Sequence, residues 1–182
     1  MKNIFKNKIK GKSGFTLAEV LIAMLILLMV SAIVAAGIPS AKNAYEKMVL
    51  SSNAEVLLST TVSALRNELG PATDISVASG NKEITYYNGT RGSLSKIELG
   101  DVTAGAADKK TIMIQRYVTE GGQSSDPVRL ISKTASTADL YATYSGVTYN
   151  DGIVTFKDLE IKRESGGTLS KLDFISIRVI SG

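Results

Sequence analysis

The sequence predicts an α+β chain: one long N-terminal helix, apolar in its first half, packed on an antiparallel β-sheet head. Three observations predict it. Val20–Ile38 is a nineteen-residue run without a charge, an amphipathic stretch follows and stops at Gly70-Pro71, and short β-branched or aromatic runs between turn residues fill the remainder.

The apolar run reads VLIAMLILLMVSAIVAAGI, and Ser31 is its one side chain able to hydrogen-bond. As a helix it is about 28 Å long, close to the hydrocarbon thickness of a bilayer. A helix in the core of a soluble domain normally keeps a polar stripe, and this run has none. Val20, Leu21, Leu25, Leu28, Val34 and Ile38 are therefore read as membrane-helix positions.

Charge is concentrated ahead of that run. The chain carries 21 Lys and Arg against 17 Asp and Glu, a net +4, yet Lys2, Lys6, Lys8, Lys10 and Lys12 all precede the first acid, Glu19. Without those five lysines, 16 basic residues face 17 acidic ones. The basic excess belongs to a short leader, so it points to no nucleic-acid surface. It predicts a cytoplasmic N-terminus, with the C-terminal part on the far side of the membrane. A secretory signal peptide also has a basic start and an apolar middle, and Ala35, Ala36 and Gly37 offer small residues for a cut after the run. A secreted or signal-anchored extracellular binding domain is therefore the alternative.

Residues 12–21 read KSGFTLAEVL, with Gly14 and Phe15 just before the hydrophobic stretch and Glu19 fifth from Phe15. This pattern resembles the signal of type IV prepilins and type II secretion pseudopilins. The resemblance covers about residues 10–40. It implies cleavage after Gly14 by a membrane peptidase that also methylates the new amino terminus, Phe15. It implies that Glu19 pairs with the N-terminal amine of a neighbouring subunit during assembly. The remaining implied partners are other pilin or pseudopilin subunits, an inner-membrane assembly platform and an ATPase. The implied location is the cell membrane, single-pass, and then an extracellular or periplasmic filament. A glycine before the scissile bond lets an extended chain enter a narrow cleft. Cutting ahead of the apolar run leaves that run on the mature protein, so one segment can serve first as anchor and then as filament core. A carboxylate near the head of a membrane helix is costly unless it is paired, reaches the headgroups or is protonated, and the resemblance makes Glu19 an assembly residue.

Pro39 predicts a kink or local break, because it lacks the backbone donor and crowds the preceding turn. Beyond it, Leu58, Val62, Leu65 and Leu69 fall on one helical face. Gly70-Pro71 then ends the helix. The organisation expected is a leader over 1–14, an apolar half-helix over 15–39, a second half over 40–70 and a β-rich head over 71–182.

Strands are expected at Glu83–Tyr87, Lys96–Leu99, Thr111–Val118, Val128–Ser132, Gly146–Tyr149, Ile153–Phe156, Leu159–Arg163 and Leu172–Ile180. Asn150-Asp151-Gly152 is a tight-turn signal between two of them, and Glu164–Thr168 a looser hairpin loop. The segments 101–110 and 121–126 read as surface loops.

The chain has no cysteine and no histidine. Disulfides, thiolate chemistry and the commonest general base and metal ligand are thereby excluded. No catalytic constellation, cofactor site or metal site is expected. Asp101, Asp108 and Asp126 do not fit a calcium-loop spacing. Asn88-Gly89-Thr90 matches a glycosylation sequon but reads as a plain turn. The expected function is structural, as a filament subunit; the end of the helix and the long, turn-rich head resemble minor pseudopilins, and a cysteine-free head fits pseudopilins or filaments from Gram-positive bacteria.

Overall fold

A computed structural model describes residues 14–102, 109–116, 125–132 and 139–180. The chain divides into two units, Met1–Glu46 and Lys47–Gly182. The leader lysines, Asp108, most of the two expected loops and the Tyr117–Val118 end of one expected strand lie outside the described residues.

Helix α1 spans Leu17–Leu69. It passes through Pro39 without a break, so the chain forms the one long helix that the sequence predicts. Proline deletes one hydrogen bond, to the carbonyl four residues earlier. The flanking Ala35, Ala36, Ala41 and Ala44 favour helix strongly enough to carry the chain through. The helix ends where Gly70 N–H donates to Arg66 C=O at 2.8 Å. A Cβ at Gly70 would stand 2.9 Å from that same carbonyl, so the stop requires glycine for space.

In the second unit Ala54, Leu57, Leu58, Thr61, Leu65, Glu68 and Leu69 form the buried face of α1. Val62, expected on that face, is only partly buried. Facing them are two antiparallel sheets. The first runs β1 (Ala72–Val77), β2 (Ile84–Asn88), β3 (Ser93–Asp101), β4 (Lys110–Arg116) and β5 (Val128–Arg129), each strand beside the next. The second comprises β6 (Leu140–Thr143), β7 (Gly146–Asn150), β8 (Ile153–Arg163) and β9 (Thr168–Arg178). Strands β6 and β7 share one register on β8, with Thr143 opposite Glu160 and Gly146 opposite Lys157. They act as one interrupted strand, and the sheet is a three-stranded meander with β9 on the other side of β8.

Strand β8 unites two stretches expected to be separate. Val154 and Phe156 point into the core, and so do Leu159 and Ile161, so the in-out alternation slips by one between them. Asp158 makes the slip by taking φ 48°, a left-handed conformation that aspartate tolerates better than most residues. Its carboxylate accepts from Ser145 Oγ at 2.7 Å and pairs with Lys171 at 2.8 Å, both contacts holding it below the usual carboxylate range. The β7–β8 turn is the one the sequence announces, with Asp151 at φ 48° and Gly152 at φ 74°. Ile84, Tyr86, Ile97, Ile112 and Ile114 of the first sheet join Val147, Val154, Phe156 and Ile161 of the second in one core.

A buried ion cluster ties the end of α1 to the first sheet. The Glu68 side chain is only 6% exposed and accepts from Arg91 Nη1 at 2.7 Å on both oxygens. Arg116 Nη2 stands 3.6 Å away, and Asn88 Nδ2 donates to the Glu68 carbonyl at 3.1 Å. A carboxylate in the last turn of a helix meets an unfavourable dipole, and the two guanidiniums offset it. Asn88 also accepts from the backbone N–H of Thr90 and Arg91, so the sequon forms the expected turn, with Asn88 buried and Gly89 and Thr90 exposed.

Removing one partner of such a cluster leaves charge without compensation. Glu68→Ala is expected to lower head stability by about 2 kcal/mol, the half-exposed guanidiniums recovering part of the loss through water; urea denaturation followed by circular dichroism measures it. Burial, aided by Glu68 at Tyr86 and by Glu98 and Glu83 at Tyr144, raises both phenol pKa values. The folded head keeps these protons where an unfolded chain loses them, near pH 10, so stability is full below that pH and falls above it. Thermal unfolding between about pH 8 and 11 is expected to show this decline, and replacing both tyrosines by phenylalanine to flatten it.

Candidate processing and assembly site

The expected site residues sit together at the start of α1. Gly14, Phe15 and Thr16 precede the helix, and Glu19 lies in its first turn. A Cβ built on Gly14 meets nothing within 4 Å. The chain's own fold thus makes no demand for glycine there, and any demand comes from whatever binds this segment.

Thr16 and Glu19 form a reciprocal cap. Thr16 N–H donates to the Glu19 carboxylate at 2.8 Å, and Glu19 N–H donates to Thr16 Oγ1 at 3.3 Å. The Thr16 hydroxyl also donates to Glu19, at 3.0 Å. Two otherwise orphaned backbone donors are satisfied this way, and the carboxylate stands at the positive end of the helix dipole. Glu19 stands out in the sequence, whereas Thr16 is seen only with the structure. The signal was present as T-x-x-E immediately before an apolar run.

Every residue from 14 to 49 is exposed. Phe15 is 86% exposed and Leu17 79%; of the named membrane positions Leu21, Leu25, Leu28 and Ile38 are 59–68% exposed and Val20 and Val34 somewhat less. Ser31 Oγ donates to the Leu27 carbonyl at 2.7 Å, so the one hydroxyl in the apolar run is satisfied within its own helix. This helix is long and apolar enough to cross a membrane. Its surface suits hydrocarbon or other apolar helices on every side.

A family model described as the prokaryotic N-terminal methylation motif matches residues 9–35. The chain carries this N-terminal signature of type IV pilins and pseudopilins. No curated protein and no solved structure gives a significant match to the chain. The matched segment runs from within the lysine leader, through the Gly14–Phe15 bond and the Thr16–Glu19 cap, to Ala35 in the apolar half of α1. A motif of this kind implies processing by a prepilin peptidase and assembly with other pilins, and the exposed apolar helix is compatible with membrane anchoring. Among the described residues no group of three or more His, Cys, Asp or Glu could hold a metal ion. Asp101, one of the three loop aspartates, pairs with Lys110.

Because open space surrounds Gly14, a side chain there leaves the fold intact and tests recognition alone. Gly14→Val is expected to leave most of the chain as uncut precursor in the membrane, read as the larger of two bands on an immunoblot, with head stability unchanged.

Proposed function

We propose that the chain is a structural subunit of a type IV pilus or a type II secretion-like pseudopilus. It is cut after Gly14, methylated on Phe15 and polymerised through the apolar half of α1. The observation that carries this reading is the coincidence, in one segment, of the methylation motif with an apolar helix surface in which every residue is exposed among the described residues.

Cleavage creates an ammonium at Phe15, one residue ahead of the cap. A positive charge beside a helix N-terminus is unfavourable. Glu19 is the only acid in the first turn, and its own cap engages it through neutral donors. A neighbour's ammonium can therefore approach the same carboxylate as a charged partner. The pairing neutralises two groups that are costly in an apolar setting, and it does so only when subunits stand in register. The prepilin peptidase and methyltransferase, an inner-membrane platform and an ATPase are the partners this role requires. The turn-rich, cysteine-free head favours a minor subunit. The role is structural, with no catalytic step.

Glu19→Ala tests the register role. Cleavage is expected to continue, while incorporation into sheared filaments falls about tenfold, equivalent to 1.4 kcal/mol. Glu19→Ala also removes the cap, so Thr16→Val serves as the comparison: it breaks the cap and keeps the carboxylate. The expected order of incorporation is wild type, then Thr16→Val, then Glu19→Ala. Equal incorporation of Glu19→Ala and wild type would remove the assembly role.

A further inference from the structure

A cavity of about 320 Å³ opens on the second unit and is lined by residues of both sheets. Lys110 reaches it from β4, Lys162 from β8 and Lys82 from the turn before β2, while Tyr141 and Tyr144 contribute aromatic wall. Among the described residues that line it there is no carboxylate. We propose that this cavity binds a small anionic ligand carrying two or more phosphate or carboxylate groups.

The turn that presents Lys82 is fixed from below. Tyr144 Oη donates to the Lys82 carbonyl at 2.8 Å, and Val147 N–H donates to the Asn81 carbonyl at 2.7 Å. Tyr144 is in turn locked edge-on against Phe156, with ring centroids 5.1 Å apart. Asn81 holds φ 57°, and a Cβ on Gly146 would already touch the Asn81 carbonyl at 3.5 Å. The second sheet therefore holds the first sheet's turn in one position, and Lys82 stands at the cavity with its backbone preorganised.

The acids nearby are already paired. Asp101 holds Lys110, and Glu160 holds Lys162 at 2.8 Å. Glu83 and Glu98, the acids felt by Tyr144, both face Lys96, at 3.7 Å and 2.7 Å. Lys82 forms no ion pair among the described residues. Ion pairs as exposed as those of Lys110 and Lys162 are worth about 0–1 kcal/mol, so an anion in the cavity can draw both ammoniums inward at small cost. Three ammoniums around a space at the small end of the ligand-site range favour a compact polyanion over an extended chain. Ammonium groups act as point charges, so they accept phosphate and carboxylate alike, and an arginine fork would have been more selective.

The test is calorimetric titration of the full chain in a neutral detergent, at low salt, with pyrophosphate and with citrate. Lys82→Ala/Lys162→Ala removes two cavity charges. Lys47→Ala/Lys157→Ala removes the same charge from exposed positions outside it and leaves the leader lysines as background common to both. Binding is expected to weaken at least about tenfold in the cavity variant and less than about twofold in the control. The single, exposed Lys82→Gln is expected to show about a threefold loss, and it keeps the test decisive should the double variant fold poorly. Binding of one probe alone supports the proposal and identifies the group recognised. Equal weakening of both double variants, or no binding of either probe at about 10 mM, overturns it.

Discussion

One half of α1 is apolar yet exposed at every described residue, and the account of the protein follows from that. From Leu17 to Ile38 the helix presents leucine, isoleucine, valine and methionine around its whole circumference. Water disfavours each of these side chains by about 1.5–3 kcal/mol when it is left uncovered. Such a surface calls for cover, and the proposed role would supply it, from lipid before assembly and from like helices after it. Both environments are dry, so the polar groups within it must be satisfied locally. Ser31 meets this by bonding to Leu27, and Glu19 by bonding to Thr16.

The second unit obeys the opposite rule. There α1 is amphipathic, and its apolar face closes a core shared with both sheets. The helix end is fixed by charge as well as by packing, through Glu68 and the guanidiniums of Arg91 and Arg116. One continuous helix thus carries two kinds of surface, and the change falls between Val49, which is exposed, and Ala54, which is fully buried.

Much of this was legible in the residues. The apolar run, the stop at Gly70 and the Asp151-Gly152 turn are local signals, each set by a few neighbouring side chains, and they were read at the right places. What escaped depends on contacts distant in sequence. Strand β1 carries a register shift and a left-handed Asp74, which hide its alternation. Strand β6 is four residues long and is a strand only because β8 holds it in the same register as β7. Strand β8 looked like two strands because its alternation slips at Asp158. Pro39 does not interrupt the helix, since the helix formers around it outweigh the one hydrogen bond it removes. At the candidate site, Gly14, Phe15 and Glu19 are named by pattern alone, while Thr16 was missed although its pairing with Glu19 is a signal only four residues long. The cavity lysines come from three separate elements and have no sequence signature.

The central claim is that the apolar half of α1 remains on the finished protein. The most direct measurement is the N-terminal peptide of the membrane or filament form, taken from cells and identified by mass spectrometry. The account predicts a chain that begins at Phe15 and carries a methyl group on its amine. A product that begins downstream of Ile38 would contradict it.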